Sequence, residues 1–113
     1  MKDKNLIKIV EYCNWLIENI STVKSFDEFV NNEALVYSSS FLILQIAEHA
    51  KKLSKEIKEK YNIDWKRIIG MRNVIVHNYE GIIRFQSILY FSFISFESFF
   101  ACSAICKIRK EEE

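Results

Sequence analysis

Residues 71–79 read Met-Arg-Asn-Val-Ile-Val-His-Asn-Tyr, and this stretch decides how the rest of the chain is interpreted. Polar residues flank an apolar centre, a pattern typical of a helix that packs on one side and presents polar groups on the other. On a helical wheel of about 100° per residue, Arg72 and Tyr79 share a face, and Asn73 stacks one turn before His77. The apolar residues gather on a different side of the wheel: Ile68, Met71, Val74 and Ile75. The spacing therefore predicts a helix that buries this side and exposes the polar residues.

The composition predicts a single all-α domain over residues 1–113. Half of the residues are apolar, so the chain is long enough and apolar enough to bury a core. The sequence has no proline and only two glycines, whereas a sheet protein needs many turns. This balance favours an up-and-down bundle of about four long helices with short connections.

Two helices are predicted in the first half of the chain from apolar residues that recur every three or four positions. The first helix is predicted over residues 4–23 and the second over residues 32–61. The polar residues 27–32 between them are predicted to form a loop or loose turn, with Ser25 or Asp27 as a capping residue. Residues 38–40 are three serines, a patch at which another helix could approach closely. The buried stripe of the second helix is predicted to hold Leu35, Leu42, Ile46, Ala50, Leu53 and Ile57.

Two further helices are predicted in the second half. The third covers residues 65–79, with Asp64 as its N-cap and Gly81 as its C-cap. Gly70 lies inside it, where a glycine permits a kink or a close helix contact. The fourth covers residues 83–110 and is apolar nearly all round, which permits a membrane interpretation. A glutamate near its middle favours instead an internal helix whose second face packs on a partner.

Two other groups of side chains are open to a metal-site or disulfide interpretation. Glu48 and His49 are adjacent, but no third ligand has helical spacing to them, so exposed or capping roles are favoured over a metal pair. Cys13, Cys102 and Cys106 are odd in number and lack metal-ligand spacing with the histidines. They are expected to be reduced thiols in the core of a cytoplasmic protein rather than partners in a disulfide.

The charge is unevenly distributed although the net charge is only +1, which is no footprint of a strong nucleic-acid binder. Residues 51–72 carry 8 of the 16 Lys and Arg residues and lead directly into Arg72. This basic segment is interpreted either as a phosphate-facing surface or as a solvated helix face, which is the commoner case.

Three stretches resemble one known family. Residues 72–79 match the R-x-x-x-x-H-x-Y signature of HepT-type toxins, which belong to the HEPN superfamily. Residues 46–54 resemble the family's I-G-E-A-A-K-K-L-S helix, and residues 65–71 resemble its W-x-x-I-x-G-M approach to the signature. Ala47 and His49 depart from the usual glycine and alanine, and the fourth predicted helix lacks the proline common near the family's C-terminus.

The resemblance implies a HEPN-like bundle that forms a symmetric homodimer and acts as a metal-independent RNase toxin without a cofactor. Arg72 and His77 would be catalytic, and Asn73 would be a supporting neighbour. The implied partners are an RNA substrate and a minimal nucleotidyltransferase antitoxin of the MntA type. Such an antitoxin would silence the toxin by adenylylating Tyr79.

The residue types suit metal-free RNA cleavage. A histidine titrates near neutral pH, so His77 could take the proton of a 2′-hydroxyl or give one to the leaving 5′-oxygen. The guanidinium of Arg72 could bind the charge that builds on the phosphorane oxygens. Because one chain offers one motif histidine, a symmetric dimer could supply base and acid together.

Two other functions remain open at this point. The chain could be a non-catalytic HEPN subunit that binds nucleotide or substrate for a partner nucleotidyltransferase, or a plain dimeric helical adaptor. The presence of Arg72, His77 and Tyr79 together favours the RNase, because a binding subunit has less need of all three.

Overall fold

A computed structural model describes residues 3–78 and 102–111, with the backbone alone for Phe26 and for residues 74–78. The helices are α1 (Lys4–Ser21), α2 (Phe26–Val30), α3 (Glu33–Lys51), α4 (Lys55–Lys60) and α5 (Trp65–Asn78), followed by helical residues 102–111. The all-α prediction is confirmed, since no strand occurs in these residues. The rest of the fourth predicted helix lies outside the described residues, and so does Gly81, the expected C-cap of the third predicted helix. Among the described helices, none is long and apolar enough to cross a membrane.

The first helix begins where the sequence predicts because Asp3 caps it. An oxygen of the Asp3 carboxylate accepts from the backbone N–H of Asn5 at 2.8 Å and of Leu6 at 3.4 Å. These bonds satisfy donors that a first helical turn leaves without partners. The helix ends two residues earlier than predicted, where the hydroxyl of Thr22 donates to the carbonyl of Asn19 at 2.7 Å. One face is buried throughout: Leu6, Ile9, Cys13, Leu16 and Ile20.

The short helix α2 lies where a loop or loose turn was predicted. Ser25 is its N-cap, and its hydroxyl accepts from the N–H of Glu28 at 3.1 Å. The Glu28 carboxylate in turn accepts from the N–H of Lys24 at 3.0 Å. Phe29 is fully buried and anchors the helix to the core. Capping at one end and one buried aromatic ring therefore suffice to make these polar residues helical.

The predicted second helix is two helices, α3 and α4. It breaks at Lys52, and Ser54 caps α4 by accepting from the N–H of Ile57 at 3.3 Å. The second oxygen of Asp3 accepts from the N–H of Ser54 at 3.0 Å, so one carboxylate stabilises the starts of both α1 and α4. The apolar period continues across the break, since Leu53 and Ile57 are both buried. The break therefore cannot be detected from periodicity alone.

Helix α3 is the centre of the bundle, with α1 and α5 packed against it. The serine patch is confirmed as a site of close approach: the amide of Asn19 in α1 donates to Ser38 at 3.0 Å and to Ser39 at 3.4 Å. Ser39 and Ser40 are fully buried, and the Ser40 hydroxyl donates to the carbonyl of Val36 at 2.8 Å. The small side chains thus let α1 lie close to α3 without burying polar groups that lack hydrogen-bond partners.

The three cysteines are free thiols, and two are core residues as predicted. Cys13 in α1 meets Cys102 of the C-terminal helical residues inside the core. Burial, followed by the neighbouring Cys102 and Cys106, raises the pKa of the Cys13 thiol well above its ordinary value. A thiol held in its protonated form is a weak nucleophile, so Cys13 serves to pack the core.

Helix α5 is capped as predicted, because the Asp64 carboxylate accepts from the N–H of Arg67 at 3.0 Å. Trp65 and Ile68 are buried on the side that faces α3. Gly70 is exposed, and a Cβ placed on it would meet no described atom within 4 Å. Within the described residues, the close helix contact that its glycine suggested is therefore absent.

Candidate functional site

Three of the motif residues lie on one helix. Helix α5 runs from Trp65 to Asn78 and so carries Arg72, Asn73 and His77. The side chains of Arg72 and Asn73 are exposed, as the helical wheel predicts. The side chain of His77 and the whole of Tyr79 lie outside what the structure describes. Helix α5 therefore presents the first half of the motif on the surface of the bundle.

An ion pair joins Arg72 to Glu48 of α3. The contact is between Nε of the guanidinium and Oε1 of the carboxylate. The Arg72 side chain is 45% exposed and the Glu48 side chain 35% exposed, so the pair lies at the surface where α3 and α5 meet. Glu48 is partly exposed, but the sequence does not predict its contact with the motif arginine. The partners are 24 residues apart in the sequence, and no local pattern connects them.

The pairing through Nε has a chemical consequence. A guanidinium carries five N–H donors in a rigid planar fork. Glu48 engages the donor nearest the aliphatic stem of Arg72. The two terminal nitrogens, which contact no other described residue, form the edge suited to a bidentate contact with two phosphate oxygens. The site can therefore bind an oxyanion while Arg72 remains attached to α3.

His49, the neighbour of Glu48, contacts α1 instead. Its Nδ1 lies 3.0 Å from the amide oxygen of Asn5, and its ring stacks on Tyr12 with 5.8 Å between the centroids. The amide nitrogen of Asn5 donates to the carbonyl of Lys52 at 3.3 Å, which leaves the amide oxygen as the acceptor for His49. The expectation of an exposed or capping histidine is wrong, because His49 is half-buried between two partners.

The surroundings of His49 favour its neutral form. Burial, followed by the charges of Lys52 and Lys8, lowers the pKa of the imidazole below its ordinary value of 6.5, against the opposing effect of Glu48. Among the described residues, no three His, Cys, Asp or Glu side chains lie close enough together to hold a metal ion. Glu48 and His49 are thus tied to different helices by different contacts.

The described contacts of the basic segment are those of a solvated face. Lys55 pairs with Glu59 at 3.7 Å, with side chains 88% and 68% exposed. The ammonium of Lys60 lies over the ring of Tyr61, 5.4 Å from its centroid. Such exposed pairs contribute little to stability, so these charges serve mainly to solvate α4. The solvated-face interpretation is therefore favoured over a built phosphate site.

A surface cavity of about 410 Å³ lies beside the C-terminal helical residues, and none of its lining belongs to the motif. It is lined by Tyr61, Asn62, Ile63, Ser103, Ala104, Lys107 and Ile108. Its described walls combine apolar and polar side chains with one lysine. The candidate site therefore remains the surface where Glu48 meets Arg72.

Comparison with known proteins shows which sequences this chain resembles. The family model "Ribonuclease HepT-like" matches residues 8–84, a range that includes both Glu48 and residues 72–79. A protein of Methanocaldococcus jannaschii is 37% identical over 78 residues, 68% of this chain and 64% of that relative. A protein of Caldanaerobacter subterraneus is 36% identical over 75 residues, 66% of each chain. Both relatives are named "Putative RNase".

The chain matches just under two thirds of the length of these two relatives. No solved structure matches the chain. The family model nevertheless covers more than half of the sequence and all of the motif. The chain therefore belongs to the ribonuclease HepT-like family of the HEPN superfamily.

Proposed function

We propose that this protein is a metal-independent endoribonuclease toxin that cleaves RNA in the cytoplasm. Arg72 and His77 are the catalytic residues in this proposal, and Asn73 supports them. The observation that carries it is the exposed guanidinium of Arg72, held at Nε by Glu48 and with its terminal nitrogens engaged by no other described residue. Membership of the ribonuclease HepT-like family supports the same reaction class.

The chemistry requires two proton transfers and one stabilised anion. The 2′-oxygen of RNA attacks the neighbouring phosphorus after losing its proton, and the bond to the 5′-oxygen breaks as that oxygen gains one. An imidazole can make either transfer near neutral pH, which is the role of His77. Negative charge grows on the two non-bridging oxygens, and the terminal nitrogens of Arg72 match their spacing.

We propose further that two copies form a symmetric homodimer, which brings two motif histidines to one cleft. Tyr37 and Phe41 support this, with 41% and 54% of their surfaces exposed. They lie one turn apart on α3, and Phe41 lies two turns before Glu48 on the same face. A second copy that covered these rings would lie beside the Glu48–Arg72 pair. Exposed aromatic rings are also typical of the centre of protein interfaces.

Control of the toxin is assigned to Tyr79 and to a minimal nucleotidyltransferase antitoxin of the MntA type. Tyr79 follows Arg72 by seven residues, so continuation of α5 by one residue would place both on one face. An adenylyl group on the phenol would add a phosphate charge beside the guanidinium. That charge would occupy Arg72 and repel the RNA.

The test is cleavage of single-stranded RNA by the purified protein in excess EDTA, together with growth arrest on expression. Wild type should cleave equally with and without EDTA, whereas Arg72→Ala and His77→Ala should lose about 100-fold or more in rate. Lys66→Ala, which removes an exposed cation from the same helix, is the matched control and should stay active.

Three results would contradict the proposal. Cleavage abolished by EDTA would make the reaction metal-dependent. Cleavage retained by either motif variant would remove that residue from the catalytic set. A folded wild type that binds nucleotide but cleaves no RNA would favour the non-catalytic HEPN subunit instead.

A further inference from the structure

We propose that Glu48 is a positioning residue: it holds Arg72 so that the terminal edge of the guanidinium, and not the Nε edge, meets the RNA phosphate. The inference rests on the proposed function, in which Arg72 binds that phosphate. The family match covers the position of Glu48 but assigns it no role. Its role follows from the contact between Glu48 Oε1 and Arg72 Nε.

The first step is the choice of edge. A guanidinium offers two edges to an oxyanion, one made by Nε with one terminal nitrogen and one made by both terminal nitrogens. Glu48 Oε1 occupies Nε and thereby blocks the first edge. A phosphate can then bind in bidentate fashion only at the second edge. Glu48 thus reduces two binding geometries to one.

The second step is rigidity. Glu48 lies on α3 between buried neighbours, since Ala47 is 1% exposed and Ala50 is fully buried. Arg72 lies one turn after Ile68, which is 5% exposed and packs in the same core. Both ends of the ion pair are therefore fixed to packed helices, and the long arginine side chain is restrained at its fourth heavy atom from Cα. A catalytic group needs such a supporting contact to keep its geometry.

The ion pair could also act on folding stability or repel the substrate. An ion pair with side chains 35% and 45% exposed contributes little to folding, so stability does not explain it. The opposite effect on activity is possible in principle, since a carboxylate beside a phosphate site repels the substrate. Positioning and repulsion predict opposite results when the charge is removed. Positioning is favoured because Glu48 meets the guanidinium at Nε, the nitrogen that lies opposite the edge formed by the two terminal nitrogens.

The kinetic test compares Glu48→Gln, Glu48→Asp and Glu59→Gln. Glu59→Gln removes a different exposed ion pair and should leave cleavage unchanged. Glu48→Gln should lower kcat by about 10-fold to 100-fold, because small misplacements of a catalytic group have effects of this size. Its KM should change less, since Arg72 keeps its charge. Glu48→Asp keeps the charge and retracts it by one methylene, and it should recover only part of the loss.

A second measurement does not depend on RNA cleavage. The hydrogen-exchange rate of the Arg72 Nε–H, followed by NMR and assigned with Arg72→Lys, should be slow in wild type. It should rise several-fold in Glu48→Gln and stay unchanged in Glu59→Gln. Equal exchange in wild type and Glu48→Gln would overturn the proposal, and so would unchanged or faster cleavage by Glu48→Gln. If wild type cleaves no RNA while the exchange rates behave as expected, the proposed function fails and the positioning contact stands.

Discussion

The imidazole of His49 stacks on the ring of Tyr12, with 5.8 Å between their centroids and 26° between their planes. The contact joins α3 to α1 at the surface of the bundle, and a hydrogen bond to Asn5 completes it. Burial, followed by the charges of Lys52 and Lys8, lowers the pKa of His49, so the folded protein prefers the neutral ring. His49 is thus a structural residue whose contribution depends on pH.

The first prediction is a loss of stability in acid that depends on His49. The pKa of His49 is lowered by folding from 6.5, so its full contribution is present above about pH 6.5. As the pH falls below 6.5, the unfolded chain binds the proton first, and this contribution declines until the folded pKa is passed. The urea midpoint of wild type should therefore drop more between pH 7.5 and 5.5 than that of His49→Gln. Equal drops would show that folding leaves the pKa of His49 unchanged.

The second prediction is that Gly70→Ala stabilises the protein. Gly70 lies inside α5 with a helical backbone that alanine also adopts, and no described atom would meet the new Cβ within 4 Å. Alanine in a helix interior is favoured over glycine by about 0.5–1 kcal/mol. The melting temperature should accordingly rise by a few degrees in a thermal scan followed by circular dichroism. A lower melting temperature would show that a group outside the described residues approaches Gly70.

The third prediction is a dimer that depends on Phe41. Light scattering at micromolar concentration should give twice the chain mass of 13.4 kDa for wild type and the single mass for Phe41→Glu. Trp15→Glu is the matched control, because Trp15 is exposed to a similar extent, at 58%, but lies on α1 and not on α3. A dimer that survives Phe41→Glu and dissociates in Trp15→Glu would move the interface to α1. A monomeric wild type would remove the dimer altogether.

The fourth prediction places the modification on Tyr79. After co-expression with a cognate minimal nucleotidyltransferase, intact-mass spectrometry should show an adenylyl-sized mass gain on wild type. Tyr79→Phe keeps the ring but removes the acceptor oxygen, so it should gain no mass and should remain toxic beside the partner. Tyr61→Phe serves as the matched control and should be modified like wild type. A mass gain that persists in Tyr79→Phe would place the modification elsewhere.

Local patterns in the sequence predict those parts of the fold whose causes are local. The start of α1 and the N-cap of α5 follow from Asp3 and Asp64, each a few residues from the N–H groups that it accepts. Helix α2 escapes prediction because five residues are too few to show a period. The break before α4 escapes it because Ser54 caps that helix without interrupting the apolar stripe.

In the candidate site, too, local patterns predict one part and miss another. Arg72 and Asn73 are found from spacing within one helix, and their exposure is confirmed. The partners of Glu48 and His49 escape prediction because each lies on another helix, 24 and 44 residues away in the sequence. Periodicity describes which side of a helix is apolar, whereas pairing across helices depends on how the helices pack. The assignments of His77 and Tyr79 remain predictions from the motif.

Glu48 and His49 are consecutive residues, yet one contacts α5 and the other contacts α1. Inserting or deleting one residue earlier in α3 would turn the following part of the helix by about 100° and shift it by about 1.5 Å. Both contacts would then be lost together, although neither residue had been replaced. The length of Glu33–Lys51 is therefore under a constraint that substitutions do not reveal. Insertions and deletions in natural or selected variants should therefore occur in the connections before and after α3. An insertion within α3 should be tolerated only together with a deletion, and a deletion only together with an insertion.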